Sequence, residues 1–340
     1  MTTTYRPPSD TGDAASTPAG RLGASRLWLG RILLANLVAE VGIIVTGGLV
    51  RLTGSGLGCT TAPECTPGHF TPVHHAAKGY HSYIEFGNRT LTGVLVVLAV
   101  LAAFAVWVWA PRRALKMAAL FVLVGVPVQA VIGAISVLVD LDPVVISLHF
   151  LISAAMVAAS AYLYFARDEP DVRPRLVVPG ILRGAGVATS AVAAVVLVLG
   201  TVVTGSGPHS GDETAPSRLG FDLRTVSWLH ADVVMLFAGL AIAMWLALRV
   251  TDTPDRTRRA WTGVIHVIIV QAVVGYTQYF TGLPIGLVAL HMLLAGLLIV
   301  ALTRAMLTLR VRDLGALDEG TGAPSMEAPA GREAPFDRPI

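Results

Sequence analysis

The chain has 340 residues, of which 54% are hydrophobic and only 14% are charged. Soluble domains carry about 25% charged residues, so this composition excludes an ordinary soluble enzyme and indicates a protein of the lipid bilayer. The formal net charge is +3, and the basic residues flank apolar segments instead of forming one patch, so nothing indicates nucleic-acid binding.

Eight apolar segments follow one another along the chain. Each is long enough for a helix that crosses the hydrocarbon core, which takes about 20 residues. They are predicted at 28–50, 83–110, 115–139, 144–165, 181–204, 226–248, 261–280 and 283–307. The sequence therefore predicts an all-α, multi-pass membrane protein with eight transmembrane helices.

The basic residues are distributed unevenly between these segments. They occur mainly before the first segment, in the second, fourth and sixth connections and after the eighth segment, whereas the third connection has only Asp140 and Asp142. Because Lys and Arg are enriched in cytoplasmic loops, both termini are predicted to be cytoplasmic, in a cell membrane. The tails 1–27 and 309–340 are rich in Pro, Gly and Ala and are predicted to be disordered.

The sequence contains an internal repeat. Residues 127–134 (PVQAVIGA) match residues 269–276 (IVQAVVGY) at an offset of 142 residues. Carried along the chain without a gap, the same offset pairs four polar positions, namely His149 with His291 and Asn88 with His230. A gapless match of this kind predicts a duplication.

A second match, RLTGSG (51–56) against VVTGSG (202–207), has an offset of 151 residues. Each copy contains four segments, an even number, so both copies insert in the same orientation and are related by a pseudo-twofold axis along the membrane normal. The predicted organisation is a tandem pair of four-helix bundles at 28–165 and 181–308, joined by a cytoplasmic linker at 166–180.

The matched polar positions lie a few residues into even-numbered segments, at similar depth near the predicted outer surface. In each copy they are on the second and fourth helices. Imidazoles on neighbouring helices hold haem iron in four-helix bundles, and His is a usual axial ligand. A lone His in a helix is more often hydrogen-bonded to a backbone carbonyl, but three matched sites within a membrane favour haem ligation.

The two copies differ in the residues available for chemistry. The second has His230 and His291, which predict a six-coordinate haem suited to electron transfer. The first has His149 opposite Asn88, and an amide is a very poor iron ligand. Glu85 lies three residues before Asn88, on the same helix face. The first copy therefore resembles an open haem site with an acid beside it.

Glu85 is either a catalytic acid at that open site or an interfacial carboxylate paired with Arg51 or Arg89. Arginine suits carboxylates, so the two arginines are candidates for binding haem propionates, or they are ordinary interfacial anchors. Glu40, in the middle of the first segment, is expected either to make a structural hydrogen bond or to take part in a proton path.

Other polar residues are assigned structural roles. Gln129 and Gln271 are expected to hydrogen-bond across helices. His266 lies within a segment, but its repeat position is occupied by Val124, so it is not a ligand candidate. A surface or interfacial role is expected for the histidines of the predicted outer loops, which are His69, His74, His75, His81 and His209.

The only cysteines of the chain, Cys59 and Cys65, lie in the first outer loop, in CTTAPEC. A close pair outside the cytoplasm predicts a disulfide, which is either a structural staple or redox-active. Two thiols without nearby paired ligands argue against a zinc site.

Taken together, the order and spacing of these motifs resemble haem A synthase, the membrane enzyme that converts haem O to haem A for cytochrome oxidase. The resemblance covers about 28–307. It rests on GGLVRLTGSGLGC (47–59), EFGNR (85–89), His149, TGSG (204–207), His230 and His291.

The resemblance implies a cofactor haem b whose iron is bound by His230 and His291 in the C-terminal copy. It implies that the substrate haem binds in the N-terminal copy, with His149 on its iron and Glu85 as the catalytic residue. The implied reaction is oxidation of a ring methyl group to a formyl group, with oxygen taken from water.

The resemblance also implies the surroundings of the substrate haem, for which Asn88, Arg89 and Arg51 are the expected neighbours. Related sequences have His where this chain has Asn88, so a single axial ligand, His149, is expected, and this suits exchange of substrate and product. The cysteine pair resembles that of one branch of the family. Expected partners are the lipid bilayer, haem O synthase (protohaem farnesyltransferase) and an electron acceptor such as a quinone.

Two other functions remain open at this point. A di-haem electron-transfer cytochrome has no need of an acid at one haem only, so Glu85 and Asn88 argue against it. A transporter with parallel repeats contains no haem, and a visible spectrum separates it from the other two.

Overall fold

The computed structural model describes residues 18–313, except for residues 60, 74–78, 111, 210 and 213–216. Eight long helices account for most of this part of the chain: α1 Pro18–Leu52, α2 His81–Trp109, α3 Arg113–Leu138, α4 Pro143–Ala166, α5 Gly180–Ser206, α6 Leu223–Val250, α7 Asp255–Phe280 and α8 Ile285–Thr308. All eight are long and apolar enough to cross a membrane. The prediction of an all-α protein with eight transmembrane helices is confirmed.

Some boundaries differ from the predicted ones. Helix α1 begins at Pro18, so residues 18–27 are helical and not part of a disordered tail. Helix α8 begins at Ile285, two residues later than predicted, because Leu283 has a φ angle of 60° and this left-handed conformation cannot continue a right-handed helix. The rest of the two predicted tails, residues 1–17 and 314–340, lies outside the described residues.

Helices α1–α4 pack in a ring, each against the next and α4 against α1, and helices α5–α8 pack in the same way. We call these the N-terminal and C-terminal halves. The halves meet through α1, α4, α5 and α8. The contacting pairs α1/α8 and α4/α5 exchange under a twofold rotation, and α4/α8 maps onto itself, so the packing is consistent with the predicted pseudo-twofold axis.

Small residues allow the helices of the N-terminal half to approach closely. The core cluster of this half includes Leu29 and Leu33 of α1 and four buried alanines of α2, Ala99, Ala102, Ala103 and Ala105. Large apolar side chains such as Phe104 and Ile181 are exposed on the outside. Lipid chains are as apolar as these side chains, so close packing of small residues, not burial of large ones, holds such helices together.

The connections α1–α2, α3–α4, α5–α6 and α7–α8 all lie at one end of the helices, which we call the odd-loop end. The terminal end is the opposite one, where α1 begins and α8 ends. According to the sequence prediction these are the outer and cytoplasmic sides.

At the terminal end, the connection between the halves is bound to the segment after α8. Strand β1 (Arg175–Leu176) pairs antiparallel with strand β2 (Arg310–Val311). The carboxylate of Glu169 in this connection lies 2.8 Å from the buried guanidinium of Arg112. Residues 309–311, which were predicted to belong to a disordered tail, are therefore held by backbone pairing.

Candidate functional site

The ligand candidates His149 and His291 lie near the start of α4 and α8, each facing a glycine of the preceding helix. A Cβ atom added to Gly133 of α3 would lie 3.6 Å from Cε1 of His149. A Cβ atom added to Gly275 of α7 would lie 3.2 Å from Cε1 of His291. Both glycines belong to the repeated motif at the offset of 142 residues, so the repeat carried a signal for this packing that the sequence interpretation did not use.

The same two helical turns are held by repeat-matched glutamines. Gln129 Nε2 donates to the main-chain carbonyl of His149 at 2.8 Å, and Gln271 Nε2 donates to that of His291 at 3.1 Å. The predicted hydrogen bonds across helices are confirmed. Each glutamine fixes the backbone of a turn that carries a candidate ligand, and thereby limits the positions open to its imidazole.

The other two matched positions, His230 and Asn88, lie on the second helix of each half and face a glycine of the first helix. A Cβ atom on Gly200 of α5 would lie 3.4 Å from Cε1 of His230 on α6. In the N-terminal half, a Cβ atom on Gly47 of α1 would lie 3.9 Å from Nδ2 of Asn88 on α2. These contacts align α1 with α5 at an offset of 153 residues, two more than the offset between the TGSG motifs.

Asn88 is part of a local hydrogen bond that sequence analysis did not find. The hydroxyl group of Thr46 donates to Oδ1 of Asn88 at 2.8 Å. A threonine one residue before a glycine in an apolar helix gives no sign of its partner on the next helix. The bond holds the amide of Asn88 in place against α1.

The three histidines have the chemistry required of haem ligands. Within the described residues, the buried Nδ1 atoms of His149, His230 and His291 make no hydrogen bond of normal geometry. The main-chain carbonyl group of Val196 lies near the imidazole of His230. The alternative role, in which the imidazole only makes a hydrogen bond to a backbone carbonyl group, therefore has no support at His149 or His291. His230 on α6 and His291 on α8 belong to the same half, and each faces a glycine of the preceding helix. Two imidazoles on neighbouring helices of a bundle fit a haem with two axial ligands.

In the part of the chain that the structure describes, no three His, Cys, Asp or Glu side chains come together as ligands for a metal ion.

Glu85 is buried in the first turns of α2, with 5% of its surface exposed. Its Oε2 atom accepts a hydrogen bond of 2.7 Å from the backbone N–H of Cys59, and its Oε1 atom lies 2.5 Å from Nη2 of Arg89. Of the two arginines that the sequence offered as partners, Arg89 is the one that pairs with Glu85. Both donors favour a carboxylate that is ionised and fixed in orientation.

The first odd loop is built around these two residues. Cys59 and Cys65 are fully buried and joined by the predicted disulfide. Nη1 of Arg89 donates to the carbonyl groups of Thr61 at 2.8 Å and Glu64 at 3.3 Å, inside the loop that the disulfide closes. Cys59, residues 61–65, Arg89 and Glu85 therefore form one unit, which we call the carboxylate loop.

Arg51 is separate from the carboxylate loop and connects the two halves. Its guanidinium donates to the carbonyl of His209 at 2.6 Å and to that of Thr204 at 2.9 Å. Nearby, the backbone N–H of Gly56 donates to the carbonyl of Gly211 at 3.0 Å. The binding of haem propionates by Arg51 and Arg89 stays a prediction, since the contacts present are to this chain's own carbonyl and carboxylate groups.

Three of the remaining histidines, His69, His81 and His209, lie in or at the end of the odd-loop connections, for which a surface or interfacial role was predicted. His81 is hydrogen-bonded to Ser55 at 2.9 Å, and Nε2 of His209 donates to the carbonyl of Leu283 at 2.9 Å. His69 forms an isolated backbone bridge with Thr66, and His266 is exposed on α7. His74 and His75 lie outside the described residues.

Comparisons with known proteins match most of the membrane region of this chain. A family model described as cytochrome oxidase assembly protein matches residues 30–303, a region that reaches from α1 to α8. A haem A synthase of Bacillus licheniformis is 25% identical over 272 residues, which is 75% of this chain and 87% of that protein. A haem A synthase of Lysinibacillus sphaericus is 26% identical over 285 residues, 78% of this chain and 90% of that protein.

Proposed function

Because the chain belongs to the haem A synthase family of cytochrome oxidase assembly proteins, we propose that it oxidises a ring methyl group of haem O to a formyl group. The product is haem A for cytochrome oxidase, and the oxygen atom comes from water. The observation that carries the proposal is the asymmetry of the matched positions. One half has two imidazoles, and the other has one imidazole, an amide and the buried carboxylate of Glu85.

His230 and His291 are the residues that hold the cofactor haem b. When bound, this haem supplies a redox centre that accepts electrons one at a time and passes them on. The conversion of methyl to formyl releases four electrons and four protons and incorporates the oxygen of one water molecule, so an acceptor of the quinone class is required. Gly200 and Gly275 leave space beside the two imidazoles.

The substrate haem is assigned to the N-terminal half, with His149 as its single protein ligand. The amide of Asn88, held by Thr46, stands where the other half has His230. An amide binds iron very poorly, so one face of the substrate iron lacks a strong protein ligand. A substrate that must enter, and leave as product, is better served by one imidazole than by two.

Glu85 is the proposed catalytic residue. Removal of electrons from a methyl group leaves positive charge on its carbon, and a buried carboxylate stabilises that charge. The same carboxylate can take a proton from the attacking water. The N–H of Cys59 and the guanidinium of Arg89 keep both carboxylate oxygens in place, so Cys59 and Arg89 are positioning residues and the disulfide supports the loop that supplies one of them.

Replacement of Gly275 by valine is expected to weaken haem b binding. A Cβ atom there is already only 3.2 Å from the His291 ring, so two more methyl groups push the imidazole away. Overpacking of this kind costs about 1–3 kcal/mol. The measurement is the fraction of purified protein with a low-spin b-type spectrum, which should fall or shift.

Gly263 on the same helix offers a matched control, since a Cβ atom there meets nothing within 4 Å. The Gly263→Val variant should keep the wild-type spectrum. Equal spectra for both variants would show that His291 does not hold a haem beside Gly275.

The proposed function is tested by extraction of haem from a host that makes haem O but no haem A, with and without this protein. Haem A should appear, and haem O should fall, only when the protein is produced. Membranes that contain the protein with its b-type spectrum but no haem A contradict the proposal. That outcome would favour a di-haem electron-transfer cytochrome.

A further inference from the structure

Two polar side chains are buried in the middle of α1 and have no place in the chemistry described so far. Asn36 is 1% exposed and Glu40 is 2% exposed. Nδ2 of Asn36 donates to the hydroxyl of Ser160 on α4 at 3.0 Å. Within the described residues, however, Oδ1 of Asn36 and Oε1 of Glu40 have no hydrogen-bond partner. Buried polar atoms without partners are costly, and within membrane segments they usually serve a function.

Both side chains lie on the face of α1 that is directed into the N-terminal half. Asn36 contacts α4, and Gly47, on the same face as Glu40 two turns later, lies against Asn88 of α2. The face of α1 between α2 and α4 is the interior of the four-helix ring. Glu40 is about 10 Å along the helix axis from Gly47, at 1.5 Å per residue.

The polar pair lies deeper than the matched position of Asn88, at the level of the apolar core cluster, against which the neighbouring Ala39 and Ile43 pack. This depth is on the terminal-end side of the proposed substrate site. A group that extends from the macrocycle in that direction reaches the depth of Glu40 first and that of Asn36 next.

The C-terminal half has no such pair. At the offset of 153 residues defined by Gly47 and Gly200, Asn36 corresponds to Thr189 and Glu40 to Ala193. The hydroxyl of Thr189 donates to the carbonyl of Ala185 in its own helix at 2.8 Å, so it is satisfied. At the offset of 142 residues, Ser160 corresponds to Leu302. At these matched positions, buried polar atoms without partners are found only in the half assigned to the substrate.

We infer that Asn36 and Glu40 recognise the hydroxyl group by which haem O differs from haem b. This inference rests on the proposed function. Haem O carries a hydroxyl on the side-chain carbon attached to the ring, with the farnesyl chain on the next carbon, where haem b has a vinyl group. A hydroxyl donates one hydrogen bond and accepts others, so it can donate to Oδ1 of Asn36 and accept from Glu40 when that carboxyl group is protonated.

In the proposed function the two halves must bind different haems. The N-terminal half must take haem O and reject the more abundant haem b, whereas the C-terminal half holds haem b. A site with buried polar atoms rejects an analogue that lacks the matching hydroxyl, because those atoms then stay unpaired. Asn36 and Glu40 are thus specificity-determining residues of the substrate site.

The test measures binding and not turnover. Purified protein with its resident haem b is titrated with ferric haem O and, separately, with ferric haem b, and the change in absorption yields two dissociation constants. In the wild type the constant for haem b should be the larger. Glu40→Leu and Asn36→Leu, tested separately, should each reduce the ratio of the two constants roughly tenfold or more, as expected for loss of a buried hydrogen bond.

Thr189→Val, at the position that matches Asn36, is the control and should leave the ratio unchanged. The low-spin spectrum of the resident haem reports whether each variant is folded, and either leucine variant alone decides the test if the other does not accumulate. An unchanged ratio in a folded variant overturns the inference. A slower reaction at an unchanged ratio also overturns it and assigns Glu40 to proton transfer.

Failure of the proposed function has a different signature. A wild-type protein that forms no haem A and takes up no haem O beyond its resident haem contradicts the function itself. A wild type that forms haem A, with variants that keep the full preference for haem O, contradicts only the role of Asn36 and Glu40.

Discussion

Glu85→Gln is expected to lower the rate of haem A formation by roughly 10²–10⁴-fold, the usual contribution of a positioned acid–base group. The amide keeps the shape of the side chain but removes the charge that stabilises the oxidised methyl carbon. The variant should insert, keep its low-spin haem b spectrum and accumulate haem O or a partly oxidised intermediate. Extraction of haem from membranes, followed by chromatography, measures these species directly.

A matched control for this variant lies in the same loop. The carboxylate of Glu64 accepts a hydrogen bond of 2.8 Å from the backbone N–H of Gly68. Glu64→Gln should form haem A at the wild-type rate. If Glu85→Gln also makes haem A at that rate, Glu85 is only the structural partner of Arg89. An ion pair of that kind contributes about 0–1 kcal/mol to stability when it is near the surface.

The second large effect is expected at the cofactor site. His230→Ala and His291→Ala should each abolish the low-spin b-type spectrum, because a six-coordinate haem that loses one imidazole becomes five-coordinate or is not retained. Haem A formation should stop in both variants, since electrons then have no route from the substrate half. Visible absorption of the purified variants, with haem content per polypeptide, is the measurement.

His266→Ala is the control for these variants, because His266 is exposed on α7 and has Val124 at its repeat position. Its spectrum should match the wild type. Unchanged spectra in both His230→Ala and His291→Ala would remove these residues as ligands and leave the buried imidazoles without an assigned role.

The eight helices and the positions of the ligand candidates were predictable from the sequence. In lipid, each segment must satisfy its own backbone hydrogen bonds, so length and hydropathy are enough to find the helices. The repeat then extended the prediction beyond single segments. His149 and His291 occupy the same turn of α4 and α8 because each is preceded by the same Gln and Gly on the helix before it.

The partners of Arg51 were decided only by the tertiary structure. Both Arg51 and Arg89 were candidates to pair with Glu85. Arg89 pairs with it one turn later on α2, which helix geometry allows, while Arg51 is bound to carbonyl groups of Thr204 and His209, more than 150 residues away. Hydropathy contains no information on that contact, since it depends on how the two halves dock.

The polar pair on α1 shows the same limit at a finer scale. The sequence placed Glu40 in mid-segment and left its role open, and Asn36 passed unnoticed as one polar residue in an apolar helix. The role of these two residues depends on the rotation of α1 about its axis, which directs both side chains towards the interior and brings Asn36 to Ser160. The rotation of a helix that is apolar on nearly all sides is set by packing against its neighbours, which is why composition alone does not determine it.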